Sequence, residues 1–553
     1  MNYKVLYDNP SEELLTRLLK IRNITDDIDA FLEAKLQDYW LDPFLLNDME
    51  SAVERIIFAI KQKQKIMIFG DYDVDWVTSS YILYKFITKY LWYKNISIQY
   101  PDRIKEWYGI KKIHLDRMKE KWINLVITVD NGIASLEEAL YAKQLWIDLI
   151  ITDHHQDLES IPQAIAVVNP QISPNYSFKW LAWVGVAFKL ICALLDRSTF
   201  DTIKKNQIFN YFLPVVAIGT VADVVPLVHE NRIIVKRWLE ILNNQKSKIP
   251  SSLRWFLSFL NIKQPIDTYH IGYVIWPRIN AGWRMTSPYD SLYSLLYSGE
   301  KQIPYLENLE QINTERRSIQ EQMFKLAEQN IDLDKKFLVV HSEEFHEGIV
   351  GIVSGRLTEK YNKPSMVMKI DQEKHSAVAS LRWPDYFDII EMIKSAGHLL
   401  QRFGGHRWAG WLSVNLDNLD ELVAHFHDYC EKKISEKDLK KIISIDTKLY
   451  HNEWDIDSLC KIDKLAPFGE GNAEPTFLLE NTRVNKVEKV GSNGKWHLKI
   501  HATHGEEKIT SLFWGKGDDA TNIKSNNISL VGKIKKDTYN GWVFLEGMDM
   551  EEV

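Results

Sequence analysis

The strongest constraint on this fold is a plan that recurs three times after Lys65. An apolar run ends in an acidic loop, and a helical stretch follows. KIMIFGDYD leads into VTSSYILYKFITKYL, NLVITVDNGI leads into SLEEALYAKQL, and IDLIITDHHQD repeats the opening a third time. Strands alternating with helices imply a parallel sheet. Ligands of open α/β sheets gather beyond the carboxyl ends of the strands, so these loops are expected to converge. VVAIGTVADVVPL reads as a fourth element of this kind, with Asp223 at its end, and IGYVIWPRINAGWRM packs Arg278, Asn280 and Arg284 into a tight loop.

At 553 residues the chain exceeds what one hydrophobic core supports, which predicts three or four domains. QINTERRSIQEQMFKLAEQNI is too polar for a core helix and reads as a connector between two α/β units. The last hundred or so residues hold only short alternating segments such as WHLKIHA, KITSLFW and NISLVGKI, the pattern of a small β-barrel. There is no apolar run of membrane-spanning length. The opening MNYKVLYDNPSEELL lacks the layout of a signal peptide, so a cytoplasmic protein is expected. Cys192, Cys430 and Cys460 form no CxxC pair and are expected as small buried hydrophobes in a reducing compartment. The net charge of −7 excludes a uniformly basic surface, but not a local basic groove for nucleic acid.

Asp71, Asp73 and Asp75 alternate in GDYDVDW, which in an extended segment places them on one side of the chain. Carboxylates this close repel unless a cation lies between them. Asp130 after the second strand, His154 and His155 after the third, and Asp223 after the fourth complete a metal-ligand inventory. Oxygen and nitrogen donors without thiolate suit Mn²⁺ or Mg²⁺. The number of donors suits two ions, which in such sites lie ~3.5–4 Å apart and serve phosphodiester hydrolysis.

DYDVD, ITVDNG, TDHH and VADVVP resemble, in order, the four motifs of the DHH phosphoesterases. FGGHRWAG resembles the GGH motif of the DHH-associated domain, and APFGEGNAEP the segment that opens the nucleic-acid-binding barrel of the RecJ family. The resemblance implies an α/β protein in five parts. These are an N-terminal helical extension (1–48), a parallel-sheet DHH catalytic domain (49–300), a connecting helix (301–333), a second α/β DHH-associated domain (334–432), and an OB-like barrel (440–553). It implies a 5′-to-3′ exonuclease of single-stranded DNA in recombination and repair. Asp73, Asp75, Asp130, His154, His155 and Asp223 would be catalytic, and Asp71 a further metal ligand. Family members often carry histidine where this chain has Phe69, which lowers the ligand count. The implied DNA track runs over Arg103, Tyr108, Arg278, Asn280, Arg284, Ser380, Arg382, Gly404, Gly405 and His406, in a groove too narrow for duplex. Guanidinium groups and backbone amides suit phosphate oxygens, and aromatic rings stack on unpaired bases. The expected protein is a monomer off the membrane, with a single-strand-binding protein and a helicase as partners. Two rival readings are a phosphodiesterase of short oligoribonucleotides or cyclic dinucleotides, which the barrel argues against, and an inactive DNA-binding scaffold, which the retained ligands argue against.

Tryptophan stands where family members carry glycine at Trp76, Trp107, Trp183, Trp276, Trp283 and Trp411; Trp92, Trp122, Trp146, Trp238 and Trp255 follow the same pattern. Glycine there permits positive φ and close backbone approach, which an indole forbids or fills. A UGA codon decoded as glycine accounts for the pattern. Moving these eleven residues would turn 25 Gly and 19 Trp into 36 and 8, nearer to ordinary usage.

Overall fold

The computed structural model describes residues 2–70, 74–101, 109–155, 160–244, 249–406, 409–492, 494–537 and 542–552, the side chains of Gln37 and His406 excepted. Asp71, Asp73, Arg103, Trp107, Tyr108 and the His406 side chain therefore lie outside the described residues. A short strand β1 (Tyr3–Val5) precedes the first large sheet. That sheet holds β2 (Ile66–Gly70), β3 (Ile96–Gln99), β4 (Leu125–Val129), β5 (Asp148–Thr152) and β6 (Ala166–Val168), in the order β3-β2-β4-β5-β6 and all parallel. β2 and β4 are buried at every position, because helices cover both faces. Alternation divides their side chains between two cores. Ile66, Ile68, Leu125 and Ile127 join one, while Met67, Phe69 and Val126 join the other.

Two expectations fail here. VVAIGTVA is not a strand: it belongs to the helix Thr202–Ala222, and Asp223 is that helix's C-cap. The segment is buried nearly all round, so it shows no amphipathic period and reads like a buried strand. WPRINAGWRM is not a loop but the helix Trp276–Met285, with Pro277 in its first turn, where a missing N–H costs nothing.

The helix Ile303–Asn330 leads to a second sheet. It comprises β7 (Leu338–Ser342), β8 (Ser365–Asp371), β9 (Ser376–Arg382), β10 (Leu400–His406) and β11 (Ala409–Asn415), in the order β10-β11-β9-β8-β7. Only β7 and β8 pair in parallel. Gly404 and Gly405 lie inside the edge strand β10, opposite Trp411 and Gly410.

After β12 (Ile443–Ile445) and β13 (Thr447–Lys448), strands β14 (Phe477–Ser492), β15 (Lys495–His504), β16 (Glu507–Phe513), β17 (Asn527–Lys536) and β18 (Val543–Glu552) close into a barrel through β14–β17 pairing. The N-terminal segment completes this barrel's core: Leu14, Leu18, Leu19 and Phe31 pack in one cluster with Phe477, Leu498 and Ile500. β1 pairs in parallel with β12, and the buried Arg17 guanidinium binds the Glu453 carboxylate at 2.7 Å. Arg232, on the helix His229–Asn244, ties the parts together. Its guanidinium donates to the carbonyls of Phe31, Leu465 and Ala466, each at 2.9 Å. Cys192 and Cys430 are buried as expected, but Cys460 is exposed, on the outer side of the short helix Ile456–Asp463. Among the described residues no helix is long and apolar enough to cross a membrane.

Candidate metal centre and nucleic-acid interface

Three of the four acidic segments leave adjacent strands at the same end of the first sheet. Asp75 lies in the first turn of the helix Val74–Lys89, directly beyond β2, so it projects from a helix and not from the extended segment expected. Its backbone carbonyl accepts hydrogen bonds from the Thr78 and Ser79 hydroxyls at 2.7 and 2.8 Å. Asp130 follows β4 with φ +63°, a conformation Asp tolerates, and its N–H donates to the Thr152 carbonyl at 3.2 Å. Asp130 is thereby placed beside the loop that follows β5. At Gly132, φ is +112° and a Cβ would press on Thr128 and Ile151, so this turn requires glycine.

Asp153 organises the loop after β5 and was not among the residues predicted from sequence. Its carboxylate accepts the N–H groups of Ile133 at 3.0 Å, His154 at 2.8 Å and His155 at 3.0 Å. Burial works to raise its pKa, but the His155 imidazole and the amides of His155 and Ile133 outweigh burial and hold the carboxyl below its ordinary range. The available signal was its place at a strand end directly before two histidines. His155 Nδ1 lies 3.1 Å from Asp153, and His154 Nδ1 lies 3.0 Å from the Leu181 carbonyl. Both imidazoles are thus anchored through Nδ1, the orientation in which Nε2 serves as a metal ligand.

Asp223 arrives from the other direction. Gly219, one turn earlier, has no room for a Cβ, which would lie 2.5 Å from both Asp75 Oδ1 and Thr78 Oγ1. That close approach sets Asp223 on the side of the helix end next to Asp75 and puts its Oδ2 3.7 Å from His154 Nδ1. Oδ2 is buried without a hydrogen-bond partner among the described residues. Burial raises the Asp223 pKa, while His154, His155 and the Trp183 amide pull it back. Two facing buried carboxyls beside an imidazole repel unless a proton or cation is shared between them. The donor set is therefore suited to a hard divalent ion. Among the described residues, no three side chains already stand in chelating geometry. One obstacle is the Trp183 indole, which stacks on His154 at a centroid distance of 4.2 Å and meets His155 edge-on at 4.5 Å.

A second group gathers where the two α/β units meet. Arg284 reaches from the helix Trp276–Met285 to the Gly348 carbonyl at 3.2 Å. A Cβ on Gly351 would lie 3.0 Å from Ser380 Oγ and 3.1 Å from Arg382 Nη2. Arg382 donates to Ser380 Oγ at 2.9 Å, and burial pushes its pKa down to about 10. Arg284, Ser380 and Arg382 thus surround one short stretch, residues 348–351. Arg278 lies apart from them: its guanidinium clasps the Glu310 carboxylate and also donates to the Val274 carbonyl at 2.7 Å. Asn280 is buried and accepts the Trp283 indole N–H at 2.8 Å. The APFGEGNAEP segment seats against the turn after Asp223. The Leu227 N–H donates to the Glu470 carbonyl at 2.7 Å, and Gly471, at φ +68°, lies against Pro226.

Three family models match the chain: the DHH family, N-terminal domain, over residues 65–220; the DHHA1 domain over 334–432; and the RecJ OB domain over 445–548. A Bacillus subtilis protein named single-stranded-DNA-specific exonuclease RecJ is 32% identical over 516 residues, spanning 92% of this chain and 64% of the relative. A Haemophilus influenzae protein of the same name is 30% identical over 507 residues, spanning 88% of this chain and 86% of its own length. Among solved structures, Thermus thermophilus RecJ in complex with Mn²⁺ superposes with a TM-score of 0.82 at 23% identity, covering 98% of this chain and 76% of that one.

Proposed function

This chain belongs to the RecJ family, and we propose that it is a divalent-metal-dependent exonuclease that removes nucleotides from the 5′ end of single-stranded DNA in recombination and repair. The observation that carries the reading is the meeting of the Asp75 and Asp223 carboxyls, beside His154, at the sheet end where Asp130 and Asp153 also emerge. Asp75, Asp130, His154, His155 and Asp223, with Asp71 and Asp73, hold the ions, and the family relatives support Mn²⁺ or Mg²⁺. Bound ions supply Lewis-acid chemistry, activating a water and neutralising charge on a phosphoryl oxygen.

The chain's own residues do the rest. Asp153 fixes the two imidazoles, and Arg284, Ser380 and Arg382 take phosphate oxygens. Arg103, Tyr108, Asn280, Gly404, Gly405 and His406 complete the track, with Arg278 a weaker member because of its bond to Glu310. The barrel holds the strand beyond the cleavage site, which favours a polymer over a dinucleotide. The protein acts as a cytoplasmic monomer, with a single-strand-binding protein and a helicase as partners.

The test is digestion of 5′-labelled and 3′-labelled single strands with Mn²⁺ and again with EDTA. Mononucleotide released first from the 5′ label, and only with metal ion, is the expected result. Release first from the 3′ label overturns the polarity, and no release overturns the enzyme.

A further inference from the structure

Five helices end in the same hydrogen-bonded turn, in which a left-handed residue donates three positions back and the next residue donates five positions back. At Lys63–Gln64 the bonds go to Ile60 and Ala59, at 3.2 and 2.9 Å. At Asn23–Ile24 the bonds go to Lys20 and Leu19, at 2.9 and 3.0 Å. At Asn261–Ile262 they go to Ser258 and Leu257, at 3.0 and 3.3 Å. At Trp122–Ile123 the acceptors are Lys119 and Met118, both at 3.0 Å. At Trp146–Ile147 they are Lys143 and Ala142, at 3.1 and 2.9 Å. This is the Schellman ending, whose left-handed position is filled by Gly, or else Asn, because a Cβ is strained there. Asn23 and Asn261 satisfy that rule. Lys63, at φ +55°, shows that a residue with a Cβ can stand there; Trp122 and Trp146, both at φ +59°, do so with the largest side chain, as does Trp92 at φ +56° beyond the helix Val74–Lys89. The indoles gain nothing in return: they are 80% (Trp92), 76% (Trp122) and 85% (Trp146) exposed.

Two further tryptophans press on the metal centre. The Trp183 backbone amide donates to Asp223, a contact any residue supplies, while its indole covers both His154 and His155 and buries an N–H without a partner among the described residues. Trp76, next to Asp75, fills the volume that a Cβ on Gly70 would take. It also stands 3.7 Å, centroid to centroid, from Tyr100, inside the ~4.5–7 Å usual for aromatic pairs.

We infer that the chain made in its own cell carries glycine at positions 76, 92, 122, 146 and 183, the codon UGA being read as glycine there, and that the ligand face of His154 and His155 is open in that form. The mid-helix Trp238 and Trp255 show neither signature. Glycine meets all five positions: it relieves the left-handed backbone at 92, 122 and 146 and removes the indole at 76 and 183.

The test is peptide mass spectrometry of the protein purified from its source cells. Peptides across 122, 146 and 183 carrying the glycine mass are expected, and the tryptophan mass at any of these positions overturns the inference. The statement about the open ligand face rests on the metal reading above and is tested separately. Mn²⁺ binding is measured by calorimetry for the chain as written and for the Trp76→Gly/Trp183→Gly protein. An affinity gain on the order of tenfold is expected. Glycine peptides without that gain would uphold the decoding and overturn the open-site claim.

Discussion

Replacing Trp122 and Trp146 by glycine should stabilise the first α/β unit, a reversal of the usual effect of glycine at a helix. The left-handed conformation costs an L-residue ~1–2 kcal/mol. Glycine escapes that cost but loses more freedom on folding, a difference of about 0.4–1 kcal/mol. The indoles are 76% and 85% exposed, so little burial is forfeited. The net gain is ~0.5–1 kcal/mol per site and ~1–2 kcal/mol for the pair. For a unit of this size that raises the melting midpoint by ~2–8 °C. Scanning calorimetry of the single and double variants measures it. The controls are the matched Trp→Ala pair, which keeps the Cβ and its strain and so should shift the midpoint little, and the Asn pair, which should fall between. The same substitution at Trp238, buried within the helix His229–Asn244, should cost ~3–5 kcal/mol through the cavity it leaves. A glycine pair no more stable than the alanine pair would refute the argument from backbone conformation.

Asp223→Asn should abolish Mn²⁺ binding and cleavage while stabilising the metal-free protein by ~1–3 kcal/mol, since it removes one of two facing buried carboxyls. The native carboxyl is held above its ordinary pKa, so the folded form binds the extra proton. In EDTA, stability should fall as pH rises from the ordinary carboxylate value through the raised one, and melting curves of the variant should show a shallower fall. Arg17→Met leaves Glu453 without its buried partner and should cost ~3 kcal/mol or more, read by urea unfolding and by faster proteolysis within the first thirty residues. Arg382→Ala should weaken single-strand binding and lower its salt slope by about 1, whereas Arg278→Ala should change both less, because Glu310 already occupies that guanidinium. Equal losses in a fluorescence-anisotropy titration would contradict this ranking.

β2, β4 and β5 were legible because strands buried on both faces read as unbroken apolar runs, and each ends at a carboxylate. The helix Thr202–Ala222 was misread for the same reason: burial on nearly every side erases the period that distinguishes a helix from a strand. Asp223 stood out all the same, since an acid inside an apolar stretch needs a partner wherever the stretch goes; the helix carries it to His154. Asp153 was overlooked because its work is done through backbone amides of its neighbours, which leave no mark in the side-chain pattern. Arg278 looked like Arg284 in sequence, and only the fold shows one facing Glu310 and the other Gly348. The N-terminal residues suggested no role because their partners lie at the opposite end of the chain.

That separation sets a timetable for synthesis. Arg17 contacts the Lys448 carbonyl and the Glu453 carboxylate across 431 and 436 positions. At ~5–20 residues per second, the opening helix leaves the ribosome roughly 20–90 s before its partners exist. Through that interval Leu14, Leu18 and Leu19 have no barrel to cover them, so a segment made early waits for partners made late. A nascent chain halted before residue 440 would hold a complete first sheet and still display residues 14–31 as a sticky, protease-sensitive stretch.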